Sequence, residues 1–268
     1  MAISERYTLG HHESVLRTHS WRTVDNSAAY LAPYLVPGTR VLDVGSGPGT
    51  ITLDIAERIT PGSVIGMDAS ADVCIAASTL ARDSGVMNVD FVVGDAYALD
   101  YPDDSFDIVH AHQVLQHVGN PVAVLREMRR VVKPGGIVAA RDVIYGAASW
   151  YPLLPGLDTW MRVYQELARS NAGEPNAGRS LKAWAMEAGF TDIESSASIW
   201  CFSTDADRDW WGSAWAERAV GSSFAEQSIE TGAATQAELQ EISSAWAEWV
   251  ADDRGWYGMP HGEILARK

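Results

Sequence analysis

Three glycines at alternate positions, Gly45, Gly47 and Gly49, follow a carboxylate, Asp43, within residues 41–50, "VLDVGSGPGT". Val41, Leu42 and Val44 read as a buried strand, and the glycines as the loop into which it breaks. Glycine has no Cβ, so such a loop turns sharply and lets a flat ligand approach its backbone amides. The helix expected next, "TITLDIAERI", aims its N-terminus at the same place, where unpaired N–H groups favour a polar or anionic ligand. Residues 63–68, "SVIGMD", form a second apolar strand that ends in another acid, Asp68. It stands about 20 residues beyond the loop, the distance at which nucleotide-binding α/β units place a carboxylate on ribose hydroxyls. A carboxylate accepts two hydrogen bonds from a vicinal diol, which accounts for the residue type. Asp68 equally suits the start of the next helix at Ser70, since Asp and Ser are good cap residues, and the two roles are compatible.

These residues need a scaffold, and the pattern around them supplies one. "VDFVVGDAYAL" gives a third strand, Val89–Val93, followed by Gly94, Asp95 and Ala96. "SFDIVHAHQVLQHV" gives a fourth, at 108–111, which emerges at His112 and Gln113. "LREMRRVVKPGGIVAARD" reads as an amphipathic helix, a Lys-Pro-Gly-Gly turn and a fifth strand at 137–140. Strand and helix alternate from 40 to 142, which implies a parallel sheet with right-handed crossovers. Before it, residues 1–38 read as a lead and a helical stretch, "NSAAYLAPYL", closed by Pro37 and Gly38. After it come helical insertions at about 146–175 and 205–252, with a helix, "RSLKAWAMEAGF", and a strand, "TDIESSASIWCF", between them. "HGEILARK" reads as the closing antiparallel strand. Gly-Asp at 94–95 is also a common turn pair, so Asp95 has a plain structural reading beside any functional one.

The spacing of the glycines separates two ligand classes. A dinucleotide fold wants G-x-G-x-x-G, whose third glycine packs helix against strand. This chain has D-x-G-x-G-x-G, which resembles the first motif of the class I S-adenosylmethionine-dependent methyltransferases. Residues 39–142 carry the resemblance. "FDIVHAHQVLQHV" and "LREMRRVVKPGG" make it similar to the ubiquinone/menaquinone C-methyltransferase branch of small-molecule methyltransferases. The resemblance implies a Rossmann-like α/β fold with a seven-stranded, mostly parallel sheet. Its order would be 3-2-1-4-5-7-6 with the last strand antiparallel, helices on both faces, and residues 1–38 as a helical lid on the domain 39–268. It implies a cofactor shell of Asp43, Gly45, Ser46, Gly47, Gly49, Asp68, Ala69, Asp95, Ala96, His112 and Gln113. In that shell Asp95 takes the adenine amino group and the Ala96 amide a ring nitrogen. Ser46 stands where cysteine is frequent, but the backbone carries that contact. From the lid, the resemblance puts forward Tyr7 and Arg17, the arginine because it can pair the methionyl carboxylate bidentately.

The reaction implied is transfer of a methyl group from S-adenosylmethionine by in-line displacement, leaving S-adenosylhomocysteine. Alignment and exclusion of water suffice for an amine or thiol acceptor, whereas a phenol or acidic carbon must lose a proton. The candidates for that base are His117, just past the fourth strand, and Asp142, at the end of the fifth. His112 at the strand tip is the third, although its counterpart in the family is a wall of the cofactor site. His117 has a second reading as a cap of the following helix.

Composition excludes several classes. A formal charge of −15 over 268 residues argues against a nucleic-acid partner, which needs clustered Lys and Arg. The two cysteines form neither a disulfide framework nor a zinc pattern, and the start of the chain lacks the apolar run of a signal peptide. No segment reaches transmembrane length. A cytoplasmic protein acting on a small-molecule acceptor is expected, without a metal, since His11 and His12 are adjacent and would point apart on a helix. Ten of the eleven tryptophans lie at or beyond Trp150. Large rigid rings suit a pocket for a flat or apolar acceptor. Pairs such as Trp246 with Trp249 and Trp211 with Trp215 equally suit ordinary packing faces of helices. Two other functions share the same loop. One is a protein that binds S-adenosylmethionine without transferring the methyl group. The other is a nicotinamide oxidoreductase, against which the glycine spacing argues.

Overall fold

The structure, a computed structural model, describes residues 21–268. Tyr7 and Arg17, and with them half of the expected lid, lie outside the described residues. Five strands, β1 (Arg40–Val44), β2 (Ser63–Asp68), β3 (Val89–Val93), β4 (Phe106–His112) and β5 (Val132–Val143), pair in parallel in the order β3-β2-β1-β4-β5. The last strand, β8 (Trp256–Arg267), runs antiparallel along β5, and β7 (Asp192–Phe202) pairs antiparallel with the other edge of β8. With β8 counted as the seventh strand and β7 as the sixth, this is the expected order. The described residues add an eighth strand, β6 (Ser149–Tyr151), which continues the β5 side of β8 against residues 256–258. Its three residues are too few to show a period-two pattern in the sequence. The Lys-Pro-Gly-Gly turn lies inside β5 as an irregularity, where residues 133–136 loop out of the ladder to β4 and Gly135 takes φ +77°.

Alternation along the strands divides the interior. Leu42, Val44, Val109, Ala111, Val138 and Ala140 face the helices α4 (Pro121–Val131) and α6 (Leu181–Glu187). Val41, Ile108, Ile137 and Ala139 face α1 (Val24–Ser27) and α2 (Thr50–Ile59). The helix expected over "NSAAYLAPYL" is much shorter than that stretch. A four-residue helix capped by Thr23 stops at Ser27, and a single 3₁₀ turn covers Ala32–Tyr34. Pro33 keeps a regular helix from running on to Leu35, because it lacks an N–H and its ring obstructs the carbonyl one turn back.

Beyond the sheet, α5 (Pro155–Ser170), α7 (Asp205–Gly221), α8 (Ser223–Thr231) and α9 (Gln236–Ala251) share a separate core. Thr204 with Asp207 and Thr235 with Glu238 form reciprocal capping boxes that start α7 and α9. Trp160, Trp215, Trp246 and Trp249 are fully buried there. The Trp160 ring lies 4.8 Å from that of Trp215 and 5.0 Å from that of Trp246, edge to face, so the rings fill one another's space. The packing-face reading therefore describes these four.

Candidate active site

At the carboxyl ends of β1 to β4 lies a cavity of about 650 Å³, a size that holds a nucleotide-like ligand. It gathers Asp43, Gly45, Ser46, Gly47, Asp68, Ala69, Asp95, Ala96, His112, Gln113 and His117 from four separate loops. Gly49 and Asp142 are not among its lining residues, and neither is any tryptophan.

The glycine loop takes the left-handed turns that its composition requires, with φ +68°, +55° and +88° at Gly45, Gly47 and Gly49. Each serves differently. A Cβ on Gly47 would meet nothing within 4 Å, so its missing side chain leaves room for a ligand. A Cβ on Gly49 would stand 2.6 Å from Phe91 Cζ and 3.1 Å from Ala77 Cβ. Gly49 thus performs the close packing of helix on sheet that the dinucleotide motif gives to its third glycine, and it does not belong to the ligand shell. The Ser46 hydroxyl is buried in the cavity wall with no hydrogen-bond partner among the described residues.

Asp68 is fixed by two backbone amides. Gly47 N–H donates to Oδ2 and Ser70 N–H to Oδ1, each at 3.0 Å. An ionised carboxylate offers about four acceptor positions, so one remains on each oxygen. Ser70 itself caps α3 (Ala71–Ser84) through Val73 N–H, so the turn role of Asp68 and an open acceptor pair coexist. Asp95 accepts from Tyr97 N–H at 2.9 Å and remains exposed. Asp43 departs from expectation. Its Oδ2 accepts from Thr52 Oγ1 at 2.6 Å and its Oδ1 pairs with His110 Nδ1 at 2.7 Å. It is only 3% exposed, so it braces the loop from behind and presents little of its carboxylate to the cavity it lines.

Gln113 turns the chain at the tip of β4 with φ +55°, a strained value for a residue with a side chain. The turn lets its amide bridge two partners: Oε1 accepts from Arg22 Nη2 at 2.8 Å, and Nε2 lies 2.8 Å from His261 Nε2. His261 Nδ1 lies 2.9 Å from the Met259 carbonyl and donates to it, which leaves Nε2 as the acceptor of a neutral ring. Burial agrees, holding His261 and His112 well below the ordinary histidine range, with Arg141 and Arg22 pushing the same way. Arg22, a lining residue that the sequence did not single out, brings a guanidinium to the cavity. A basic residue shortly before the fold was the available signal.

The two base candidates separate. His117 lines the cavity, and burial with the nearby Arg22 charge lowers it to about 4, so it is neutral and weakly basic. Asp142 is fully buried behind the β4 tip. Its Oδ1 accepts from Gln116 N–H at 3.3 Å, its Oδ2 has no partner among the described residues, and burial raises it to about 8. A carboxyl group bound to its proton more tightly when folded stabilises the fold below the unfolded value of about 3.9, and that contribution is lost as pH rises through about 8. His117 has the opposite sign, since its stabilisation is lost as pH falls from about 6.5 toward about 4. Subtracting wild type from Asp142→Asn cancels the histidine contribution. The variant should gain stability relative to wild type steadily between about pH 4 and pH 8 and level off above, read from urea midpoints. A difference independent of pH would show that Asp142 is an ordinary ionised carboxylate.

Among the described residues, no group of three or more His, Cys, Asp or Glu side chains is placed to hold a metal ion, and no helix is long and apolar enough to cross a membrane.

A family model described as a methyltransferase domain matches residues 35–197. An uncharacterized methyltransferase of Schizosaccharomyces pombe is 36% identical over 98% of this chain and 96% of its own. The ubiquinone/menaquinone biosynthesis C-methyltransferase UbiE of Bdellovibrio bacteriovorus is 31% identical over 52% of this chain and 64% of its own. Among solved structures, phosphoethanolamine N-methyltransferase 2 of Haemonchus contortus, in complex with phosphomonomethylethanolamine and S-adenosylhomocysteine, superposes with a TM-score of 0.60. That match has 20% identity, over 97% of this chain and 59% of the other, and shows a shared fold.

Proposed function

Because the chain belongs to the class I S-adenosylmethionine-dependent methyltransferases, we propose that it methylates a small metabolite with an apolar or aromatic body, bound beside the β4 tip. The observation that carries this reading is the meeting of Asp68, the Gly47 turn, the Ser46 hydroxyl and Asp95 in one cavity. The residues fit the cofactor. Asp68 would hold the ribose hydroxyls through its two open acceptor positions, Asp95 the adenine amino group, and the Ala96 amide a ring nitrogen. The glycine loop with Ser46 would take the methionyl end, and Arg22 its carboxylate. When bound, S-adenosylmethionine supplies an electrophilic methyl carbon.

What remains for the protein is to align the acceptor, exclude water and manage a proton where there is one. His117 touches the cavity but is a weak base; Asp142 is basic enough but does not line it. The division favours an acceptor atom that is already nucleophilic on binding, with His117 accepting a hydrogen bond from it. Calorimetric titration with S-adenosylmethionine, S-adenosylhomocysteine and NADH tests the assignment. Micromolar binding of the first two and none of NADH is expected. Preference for NADH, or no binding, would overturn it, and formation of S-adenosylhomocysteine from S-adenosylmethionine in the presence of candidate acceptors separates turnover from binding alone.

A further inference from the structure

The sheet face that carries Asp43 and His110 continues past the cofactor cavity into a second polar cluster. Arg141 on β5 is 1% exposed. Its Nε donates to Ser198 Oγ at 3.1 Å and to Glu263 Oε1 at 3.2 Å. Glu263 is in turn satisfied by the Ser196 and Ser198 hydroxyls. Only Nε–H is therefore engaged, while Nη1 and Nη2, which form the outer edge, are buried with no partner among the described residues. Parallel register sets His112 beside Arg141 on the next strand, and both ring nitrogens of His112 are buried and unpartnered among the described residues. The Tyr30 hydroxyl is a third buried group without a partner among the described residues, close enough to feel the Arg141 charge. Buried polar atoms are almost always paired, and a guanidinium least tolerates being left half bonded.

We propose that Arg141, assisted by Tyr30 and His112, binds the carboxylate of a planar acceptor substrate. Two parallel N–H groups on the free edge match two carboxylate oxygens. Planarity follows from the walls. The Trp200 ring lies 4.8 Å from the Arg141 guanidinium and 5.7 Å from His112, and Trp21 packs edge-on against it at 5.3 Å. Position argues for the acceptor over the cofactor, because β5 stands two strands from β1, about 10 Å across the sheet at ordinary spacing. His112 lies between them and lines the cofactor cavity, so a group held by Arg141 abuts the place where the methyl group is delivered. The donors have almost no exposure, so entry requires Trp21, packed edge-on against Trp200, to move aside. The proposal rests on the methyltransferase reading above and specifies its substrate class.

Benzoate and its neutral isostere benzamide are the probes, titrated into protein saturated with S-adenosylhomocysteine. Wild type should prefer benzoate by about tenfold or more. The double variant Arg141→Gln, Glu263→Gln removes both charges, strands neither, and should abolish the preference. Its affinity for S-adenosylhomocysteine should stay within about threefold. Tyr30→Phe, which removes only an unpartnered hydroxyl, should lower benzoate affinity while leaving benzamide unchanged, and it covers the case in which the double variant fails to fold. Equal binding of the two probes by wild type, or a preference that survives in both variants, would overturn the proposal. So would a selective loss of S-adenosylhomocysteine in the double variant, which would place the cation on the cofactor's carboxylate. If wild type binds no S-adenosylhomocysteine, the methyltransferase reading fails by itself, and the benzoate preference measured without it still decides whether Arg141 takes a carboxylate.

Discussion

Replacing Asp68 by alanine should weaken S-adenosylhomocysteine binding about a hundredfold while the protein stays folded. Two ribose hydroxyls donating to an ionised acceptor contribute about 1.5–3 kcal/mol each, so losing both removes at least ~3 kcal/mol, or a factor of about 100. The side chain also anchors Gly47 N–H and Ser70 N–H, so alanine loosens the loop that faces the methionyl end. The fold should survive because Asp68 is only half-buried and Ser70 caps α3 independently through Val73 N–H. Asp68→Asn is the informative companion. Its amide keeps one acceptor oxygen but turns the other position into a donor that faces donors, so its affinity should be intermediate. Calorimetry gives both dissociation constants, and thermal unfolding without ligand checks the fold. An alanine variant within threefold of wild type would mean that Asp68 serves the turn alone, the simpler of the roles its position allows.

The residues that were legible in advance share one property: their chemistry is set within a few neighbours. The glycine loop, Asp68 and the Gly94-Asp95-Ala96 turn each end a strand, and a parallel sheet brings strand ends together whatever the rest of the chain does. The alternation of strands and helices gave the parallel sheet and its crossovers, whereas the strand order came from the family resemblance. Asp43 shows where this stops. Its type and position matched a ligand contact, but it is buried against His110, 67 residues away, which no local pattern announces. Arg141 is the converse. Nothing in "VAARDV" marks it, because its partner Glu263 lies 122 residues away and is met only through the antiparallel pairing of β8 with β5. The tryptophans fail differently. A pocket wall and a packed core use the same side chains, so composition cannot separate them, and only ring-to-ring distances do.

Trp160→Ala should cost the largest share of stability of any single change, about 3–5 kcal/mol, without altering cofactor affinity. Trp160 is fully buried on α5, and its ring contacts those of Tyr145, Trp150, Tyr164, Trp215, Trp246 and Tyr257. Alanine would leave a cavity that six rigid rings on different elements cannot close, which is the condition under which a large-to-small change costs most. Against a total of about 5–15 kcal/mol for a typical domain, the urea midpoint should fall steeply. Trp160→Phe separates volume from polarity. It sacrifices part of the contact but also removes a buried indole N–H that has no partner, so the two effects offset and the net loss should be about 1 kcal/mol. Because no tryptophan lines the cofactor cavity, S-adenosylhomocysteine affinity should match wild type in both variants at a temperature where they are folded. If Trp160→Ala instead left the unfolding midpoint in place and changed only acceptor turnover, the ring would be a wall of the acceptor pocket. The four-helix segment would then be a binding cap built around the substrate, not a core that buttresses β6 and β8.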